Sequence, residues 1–314
     1  MSANGENKLN DLRIDVSALP DITQPEMDFL ESSFFQTRDS TESRPELPTP
    51  ASLFEEYGDR GADVIKIEKL NLAIKTDAQV HLNLEEAQTL WAIRKVFPNG
   101  EIPVPEVFGW RKYEDRVFIY MSLVPGETLR EVWPSLTEDD KASLQNQLKE
   151  IIGTLRKLKQ SPEIIGSVRG GPLQDRFFRI DGEKGPLSSI KQFNDWLFAI
   201  ATRQDPQPGK EIKGLDHPDM YRDVLPDEGN IHFTHGDLTL GNIMVSGSPG
   251  TYTITGIIDW EQAGWYPDYW EYCKILLGVE SHHEWWTEGW AEKITEPFHD
   301  IFFAVSEYSL WCCP

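Results

Sequence analysis

The segment at residues 233–245, FTHGDLTLGNIMV, constrains the fold of this chain more than any other. Its two apolar ends flank a polar centre, and this pattern predicts two short buried strands joined by a loop that carries His235, Asp237 and Asn242. A turn, SGSPG, and a second apolar run, TYTITGIIDW, follow, and that run ends in Asp259. Hairpin pairing of the two runs would bring Asn242 close to Asp259.

The polar residues at these strand ends are suited to phosphoryl transfer. A carboxylate and an amide oxygen are hard ligands, which suit a Mg²⁺ ion that also takes phosphate oxygens. Asp237, offset in the loop, can accept a hydrogen bond from a substrate hydroxyl. A metal site, a positioned acceptor and neutralisation of charge are the minimum that a phosphoryl transfer requires.

HGDLTLGN and IIDW resemble the catalytic and metal-binding segments of the aminoglycoside phosphotransferases, a family of kinase-like small-molecule kinases. GETL and GIIDWEQAGWYPDYWEY extend the resemblance, which is closest to a fungal branch and runs from about residue 51 to the C-terminus. The resemblance implies that Asp237 is the catalytic carboxylate and that Asn242 and Asp259 hold Mg²⁺. His235 would fix the loop, and ATP would be the phosphoryl donor.

A kinase also needs a strand lysine for the phosphates and a helix glutamate that orients it. NLAIKTD places Lys75 at the end of an apolar strand, and the following segment has helical spacing. Glu86 interrupts the apolar stripe of that helix, and an inward carboxylate needs a partner. Glu85 lies on a more mixed face, so the pattern favours Glu86 and leaves Glu85 as the alternative. A surface lysine at a strand end is the other interpretation of Lys75.

The strand-forming run VFIYMSLV and the turn that follows resemble the interlobe hinge of the family. The resemblance implies that Met121 borders the adenine and that the backbone of Ser122 and Val124 hydrogen-bonds the base. The chain departs from the kinase pattern nearby, because EYGDRGADV lacks G-x-G-x-x-G. It also contains no G-x-x-x-x-G-K-[ST], which excludes a P-loop protein.

These features predict an α+β, two-lobed protein-kinase-like fold. Residues 1–50 would form an N-terminal extension with one short helix near residues 25–35. A small β-rich N-lobe would span residues 51–123, and a larger, mainly helical C-lobe would span residues 124–314. An amphipathic helix should begin at Thr137 and Asp140, which resemble a capping box.

Composition limits the partners of the chain. Acidic residues outnumber basic ones 52 to 30, for a formal charge of −22, which disfavours nucleic acid. The charge is compatible with a cationic small-molecule substrate, but the pattern favours the simpler interpretation that it serves solubility. The three cysteines fit neither a disulfide framework nor zinc spacing, and no apolar run is long enough to cross a membrane. With no signal peptide visible, the expected location is cytoplasmic. The pattern predicts neither a particular hydroxyl acceptor nor an oligomeric state.

Two rival functions remain at this level. One is a kinase-like module that binds nucleotide without catalysis. The other is a metal-dependent hydrolase that binds zinc through His232, His235 and Asp237, although a continuous strand would point the two histidines to opposite faces. Glu261, Asp268 and Glu271 could bind a cationic substrate. Alternatively, either Asp268 or Glu271 could anchor the catalytic loop. The tryptophans after residue 259 are expected to be mostly core.

Overall fold

The structure is a computed structural model, and it describes residues 12–36, 44–58, 63–178, 185–202 and 220–312. The contacts divide the chain into two compact units. The sheet unit comprises Ala18–Leu148 and Asp237–Ala263, and the helical unit comprises Lys149–Gly236, Gly264–Pro314 and the residues before Ala18. The lobe boundaries predicted after residues 50 and 123 stay a prediction.

The described residues form both strands and helices, as the predicted α+β class requires. The strands are β1 (Glu26–Asp28), β2 (Asp63–Ile67), β3 (Leu72–Ala78), β4 (Val107–Tyr113), β5 (Arg116–Ser122), β6 (Glu127–Thr128), β7 (Gly166–Ser167), β8 (Ile231–Thr234), β9 (Ile243–Ser246), β10 (Thr253–Ile257) and β11 (Gly264–Pro267). The α-helices are α1 (Pro50–Tyr57), α2 (Glu85–Val96), α3 (Leu129–Val132), α4 (Glu138–Leu155), α5 (Ile190–Ala201), α6 (Trp270–Leu277), α7 (Glu284–Thr287), α8 (Trp290–Ile294) and α9 (His299–Cys312).

A five-stranded antiparallel sheet in the order β1-β4-β5-β3-β2 is the base of the sheet unit. Its central strands are rich in β-branched and aromatic residues, which favour a pleated, buried surface. One core cluster of this unit includes Leu72, Ile74 and Tyr120, all of which are fully buried. This packing fixes the register of β3 against β5, with Lys75 opposite Ile119.

The predicted hairpin of the central motif is present. Strand β9 pairs antiparallel with β10, and the register places Ile243 opposite Ile257. Strand β6 pairs with the other side of β9, so the three strands form a small sheet in the order β10-β9-β6. Apolar side chains of β9 are buried, which explains why the sequence returns to apolar residues after the polar loop.

Aromatic residues dominate the core of the helical unit. Trp265, Trp270, Trp285 and Trp290 are each at most 3% exposed. Trp285 and Trp290 stack with their ring centroids 4.5 Å apart. The prediction that most of these tryptophans are core is therefore confirmed.

The short helix predicted near residues 25–35 is wrong. Residues 26–28 form β1, which adds to the edge of the five-stranded sheet beside β4, and only Ser33–Phe35 form a 3₁₀ turn. The free edge of β4 decided the outcome, since pairing there satisfies backbone groups that a single helical turn would leave open. Within the described residues, no helix has the length and apolar character needed to cross a membrane.

Candidate active site

A cavity of about 280 Å³ lies in the sheet unit, and seven of the eight predicted site residues line it. Strand β3, helix α2, the end of β5 and the β9–β10 hairpin all contribute walls. The predicted residues among the lining are Lys75, Glu86, Met121, Ser122, Val124, Asn242 and Asp259. Residues 184 positions apart in the sequence, Lys75 and Asp259, therefore share one cavity.

In the cavity, the Lys75 ammonium contacts three carboxylates. Its Nζ atom lies 2.7 Å from Glu86 Oε2 and 3.1 Å from Glu261 Oε2, and it also donates to Asp259 Oδ1. The Lys75 side chain is only 18% exposed. These contacts rule out the alternative interpretation of Lys75 as a surface lysine at a strand end.

The environment shifts the pKa values of this cluster in opposing ways. Burial alone would lower the pKa of Lys75, but the nearby carboxylates of Glu86, Asp259 and Glu261 raise it above its ordinary value. Burial raises the pKa of Glu86 to about 7, against the opposing attraction of the Lys75 ammonium. Three carboxylates around one ammonium leave an excess of negative charge, which favours a further cation at this end of the cavity.

Helix α2 explains why Glu86 pairs with Lys75. Both Glu85 and Glu86 lie in its first turn, where carboxylates are favourable because of the helix dipole. Glu86 is the more deeply buried, at 2% exposure, and it forms the ion pair with Lys75. An inward carboxylate on an apolar stripe needed a partner, and the adjacent strand β3 supplies it.

The loop before β9 brings Asp237 and Asn242 together. Asn242 Nδ2 donates to the backbone oxygen of Asp237 at 2.8 Å and to Asp237 Oδ2 at 3.1 Å. The backbone N–H of Ile258 donates to the Asn242 carbonyl, which joins this loop to the end of β10. Asp259 follows with a φ of 65°, a left-handed conformation that turns the chain at the strand end.

The donor set at these strand ends suits a magnesium ion. Because Asn242 Nδ2 donates to Asp237, the side-chain oxygen of Asn242 is the atom left to bind a metal. Asp259 adds a carboxylate on the same cavity, and both are hard oxygen ligands. Glu86, Asp259 and Glu261 also have oxygens within 4.8 Å of one another, but the Lys75 ammonium already contacts all three.

His235 and Glu271 are linked in the helical unit. His235 is fully buried, and its backbone N–H donates to Glu271 Oε2 at 2.7 Å, while that of Gly236 donates to Oε1 at 3.3 Å. Burial raises the pKa of Glu271, an effect that the nearby His235 opposes. The contacts therefore support the alternative in which Glu271 anchors the catalytic loop, and they occupy the carboxylate that a cationic substrate would need.

The other two acidic residues weighed as substrate ligands are also engaged. Glu261 contacts Lys75, as described above. Asp268 Oδ2 accepts from the backbone N–H of Asn230 at 3.3 Å. Sequence patterns missed the role of Glu261 in the lysine cluster, because its contact with Lys75 is long-range.

The segment after β5 presents backbone groups to the cavity. The N–H of Ser122 donates to the carbonyl of Glu106, so only the Ser122 carbonyl could contact a bound base. The N–H of Val124 has no hydrogen-bond acceptor among the residues that the structure describes. The Val124 side chain packs onto Gly256, where an added Cβ would lie 2.6 Å from Val124 Cγ1.

The histidines do not form a metal site in the part of the chain that the structure describes. There, the group of three or more possible ligands found is Glu86, Asp259 and Glu261, and it contains no histidine. His283 caps α7 by accepting from the N–H of Trp285. Because the group of possible ligands includes neither His232 nor His235, the geometry does not support the zinc hydrolase interpretation.

A model of a known protein family matches a large part of the chain. The model of the phosphotransferase enzyme family matches residues 73–302, which span all of the predicted site residues. No curated protein sequence matches the chain.

Solved structures of aminoglycoside phosphotransferases are similar to this chain. The GDP complex of a mutant aminoglycoside 2′-phosphotransferase-IIIa is 16% identical, with a TM-score of 0.52, over 82% of this chain and 85% of that one. Aminoglycoside phosphotransferase APH(3'')-Id from Streptomyces rimosus ATCC10970, solved with ADP and streptomycin, is 14% identical, with a TM-score of 0.46, over 83% and 96% of the two chains. The first of these similarities confirms the predicted kinase-like α+β fold.

Proposed function

Because this chain belongs to the phosphotransferase enzyme family, we propose that it transfers the γ-phosphoryl group of ATP to a hydroxyl group of a small molecule, with Mg²⁺ as cofactor. The observation that carries the proposal is a single cavity lined by both the Lys75–Glu86 ion pair and the oxygen ligands Asn242 and Asp259. Phosphoryl transfer depends mostly on positioning and on neutralising charge, and these residues supply both.

Each residue has a distinct role in this proposal. Lys75, oriented by Glu86, binds donor phosphate oxygens. Asn242 and Asp259 would hold the magnesium ion, which neutralises phosphate charge when bound. Asp237 orients the acceptor hydroxyl, and its hydrogen bond with Asn242 fixes its distance from the metal ligands. Met121 borders the adenine, whose edge contacts the Ser122 carbonyl and the Val124 N–H.

The proposed transfer forms one bond to the γ-phosphorus and breaks another. The acceptor oxygen forms a new bond to the γ-phosphorus as the bond from that phosphorus to the β–γ bridging oxygen breaks. ADP leaves with the bonding electron pair, and Asp237 accepts the hydroxyl proton before releasing it to water. The acceptor is a small molecule, and the formal charge of −22 favours a cationic one through long-range attraction.

Calorimetric titration with nucleotide tests the donor site. We expect ATP to bind in the presence of Mg²⁺ and to bind much more weakly with EDTA. A parallel titration with GTP shows whether the site prefers adenine or guanine nucleotides. Absence of magnesium-dependent binding of either nucleotide would remove the foundation of the proposal, and copurification of stoichiometric zinc would favour a hydrolase instead.

The substitution Asp237→Asn tests catalysis separately from binding. A screen of hydroxyl-containing metabolites with radiolabelled ATP identifies an acceptor, and Asp237→Asn should then lower kcat by about 10²-fold or more. The nucleotide Kd should stay within about twofold, because the proposed role of Asp237 is toward the acceptor. If turnover by Asp237→Asn were unchanged, Asp237 would not be the residue that orients the acceptor hydroxyl. Nucleotide binding without phosphorylation of any acceptor would favour the non-catalytic module.

A further inference from the structure

A segment before the family-matched region packs against the nucleotide cavity walls. This N-terminal strap, residues 18–36, includes β1 and belongs to the sheet unit, whereas the family match begins at residue 73. The strap is fastened along β4: Trp110 Nε1 donates to the Gln24 carbonyl at 3.2 Å, and Lys112 Nζ donates to the Ile22 carbonyl at 2.6 Å.

The backbone of the strap lies very close to β4. An added Cβ at Gly109 would lie 2.3 Å from the carbonyl oxygen of Met27, so only glycine permits this approach. Phe29 packs on Trp110 with the ring centroids 5.6 Å apart. The strap is therefore packed into the sheet unit, and several contacts fix its position relative to β4.

Two further contacts connect the strap to the walls of the cavity. Gln88 Nε2, on α2, donates to the Pro20 carbonyl at 2.7 Å. The Glu106 carboxylate accepts from both the N–H and the hydroxyl of Ser33. Glu106 in turn exchanges two hydrogen bonds of 2.8 Å with Ser122, which lines the cavity.

Helical geometry makes the contact at Gln88 consequential. Glu86 and Gln88 are two positions apart, so their side chains project about 200° apart around α2. Glu86 faces Lys75, while Gln88 faces the strap, and both side chains are at most 4% exposed. Helix α2 is thus held by hydrogen bonds on two opposite sides.

We propose that the N-terminal strap is a positioning element of the nucleotide site, which acts through Gln88 to hold α2 where Glu86 pairs with Lys75. This inference rests on the proposed function for its effect on nucleotide binding. Without the Gln88 contact, a smaller fraction of the molecules has α2 in the position where Glu86 contacts Lys75. The apparent nucleotide affinity falls in proportion to that fraction.

The substitution Gln88→Met in the full chain tests this proposal, because Met has a similar length and no donor. We expect the Kd and the KM for ATP to rise about threefold to tenfold, with kcat at saturating ATP within about twofold. Hydrogen exchange of the α2 amides should become about tenfold faster. In a Glu86→Gln background, Gln88→Met should have no further effect on the Kd, since the orienting carboxylate is gone.

Lys112→Met is the matched control. It removes a hydrogen bond from a β4 side chain to another strap carbonyl and leaves the Gln88 contact in place, so it should lower the thermal midpoint without changing the nucleotide Kd or the α2 exchange. Ser33→Ala, at an exposed position, provides a second variant that will fold, with a smaller rise in KM expected through Glu106 and Ser122.

The outcomes separate the two proposals. Equal effects of Gln88→Met and Lys112→Met on Kd and on α2 exchange would show that the strap only stabilises the fold, and would overturn the inference. If the wild-type chain binds no nucleotide, the proposed function fails on that result alone. Exchange of the α2 amides then still decides whether the strap positions the helix.

Discussion

At the scale of single residues, Lys75 shows how charge is balanced in the site. One ammonium contacts the carboxylates of Glu86, Asp259 and Glu261, and the Glu86 side chain is only 2% exposed. Burying a carboxylate costs much more when its partner is absent. The lysine therefore has a structural role in the sheet unit in addition to the proposed contact with phosphate.

Lys75→Met separates these two roles. Removing the ammonium leaves Glu86 buried without its cation, so we expect the free energy of unfolding to fall by about 3 kcal/mol. Adding Glu86→Gln should recover a large part of that loss, because a neutral amide tolerates burial better than a carboxylate. Urea unfolding of the three chains measures this. The double variant should still lack activity, and equal stability of Lys75→Met and Glu86→Gln/Lys75→Met would contradict the argument.

Sequence patterns predicted most of the candidate site one residue at a time. Lys75, Glu86, Asn242 and Asp259 were each predicted, and the structure places them around one cavity. Glu261 was not predicted as a member of the lysine cluster, because a carboxylate beside a motif has the same local pattern whether it faces solvent or a lysine 186 positions away.

At the scale of elements, the short β6–β9 pair depends on a glycine. Gly126 has a φ of 104°, and an added Cβ would lie 2.0 Å from the carbonyl oxygen of Val245 in β9. The Val245 oxygen and carbon nearest to the added Cβ are backbone atoms, so they cannot move aside without disturbing the strand that follows the Asn242 loop.

Gly126→Ala should therefore be much more harmful than another substitution at a positive φ. Gly100 has a φ of 79° with no atom within 4 Å of an added Cβ, so Gly100→Ala should cost only about 1 kcal/mol from backbone strain. Gly126→Ala adds the collision, and we expect a loss of about 3 kcal/mol or more and a weaker affinity for ATP. Denaturant unfolding of both variants measures the difference, and equal losses would show that strain alone matters.

The N-terminus of α4 is the element boundary that the sequence predicts most clearly. The predicted capping box is present: the N–H of Asp140 donates to Thr137 Oγ1, and Asp140 Oδ2 accepts from the N–H and the hydroxyl of Thr137. Asp140 Oδ1 also accepts from the N–H of Gly250, between β9 and β10, at 2.7 Å. That second contact is long-range, and no local pattern predicts it.

These hydrogen bonds give Asp140 a pH-dependent contribution to stability. The Thr137 hydroxyl, followed by the backbone groups, lowers the pKa of Asp140 below its ordinary value, although burial opposes this. A depressed carboxyl stabilises the fold above the pKa of the unfolded chain, about 3.9, and loses that contribution as the pH falls through the lower folded pKa. Asp140→Asn should therefore destabilise the protein at pH 7 and much less at about pH 3. Urea midpoints at both pH values check this, and a loss that is the same at both would exclude the charge as its source.

At the scale of the whole molecule, the formal charge of −22 opposes folding through mutual repulsion of acidic groups. Among the residues that the structure describes, most acidic groups are not buried, so salt screens them, whereas the partly buried Lys75 cluster is screened much less. The charge favours the approach of cations.

Monovalent salt should therefore stabilise this protein. Raising KCl from about 10 mM to about 150 mM shortens the screening length to about 8 Å, and we expect the thermal midpoint to rise by a few degrees. Scanning calorimetry in the absence of nucleotide measures the change, with sucrose of equal osmolality as the control for solvent effects. A midpoint that falls with salt would mean that favourable surface ion pairs outweigh the repulsion.

The sequence by itself determined the fold class, the hairpin that presents Asn242 and Asp259, and seven of the fourteen residues that line the cavity. Apolar periodicity, turn residues and capping patterns are local, so they can be detected within a short stretch of chain. Only the tertiary structure decided that residues 26–28 join the sheet and that Gln88 reaches Pro20. It also decided that Glu261 joins Lys75 and that Glu271 holds His235. Those contacts link residues that are distant in the chain, and their free energy depends on packing that no local pattern contains.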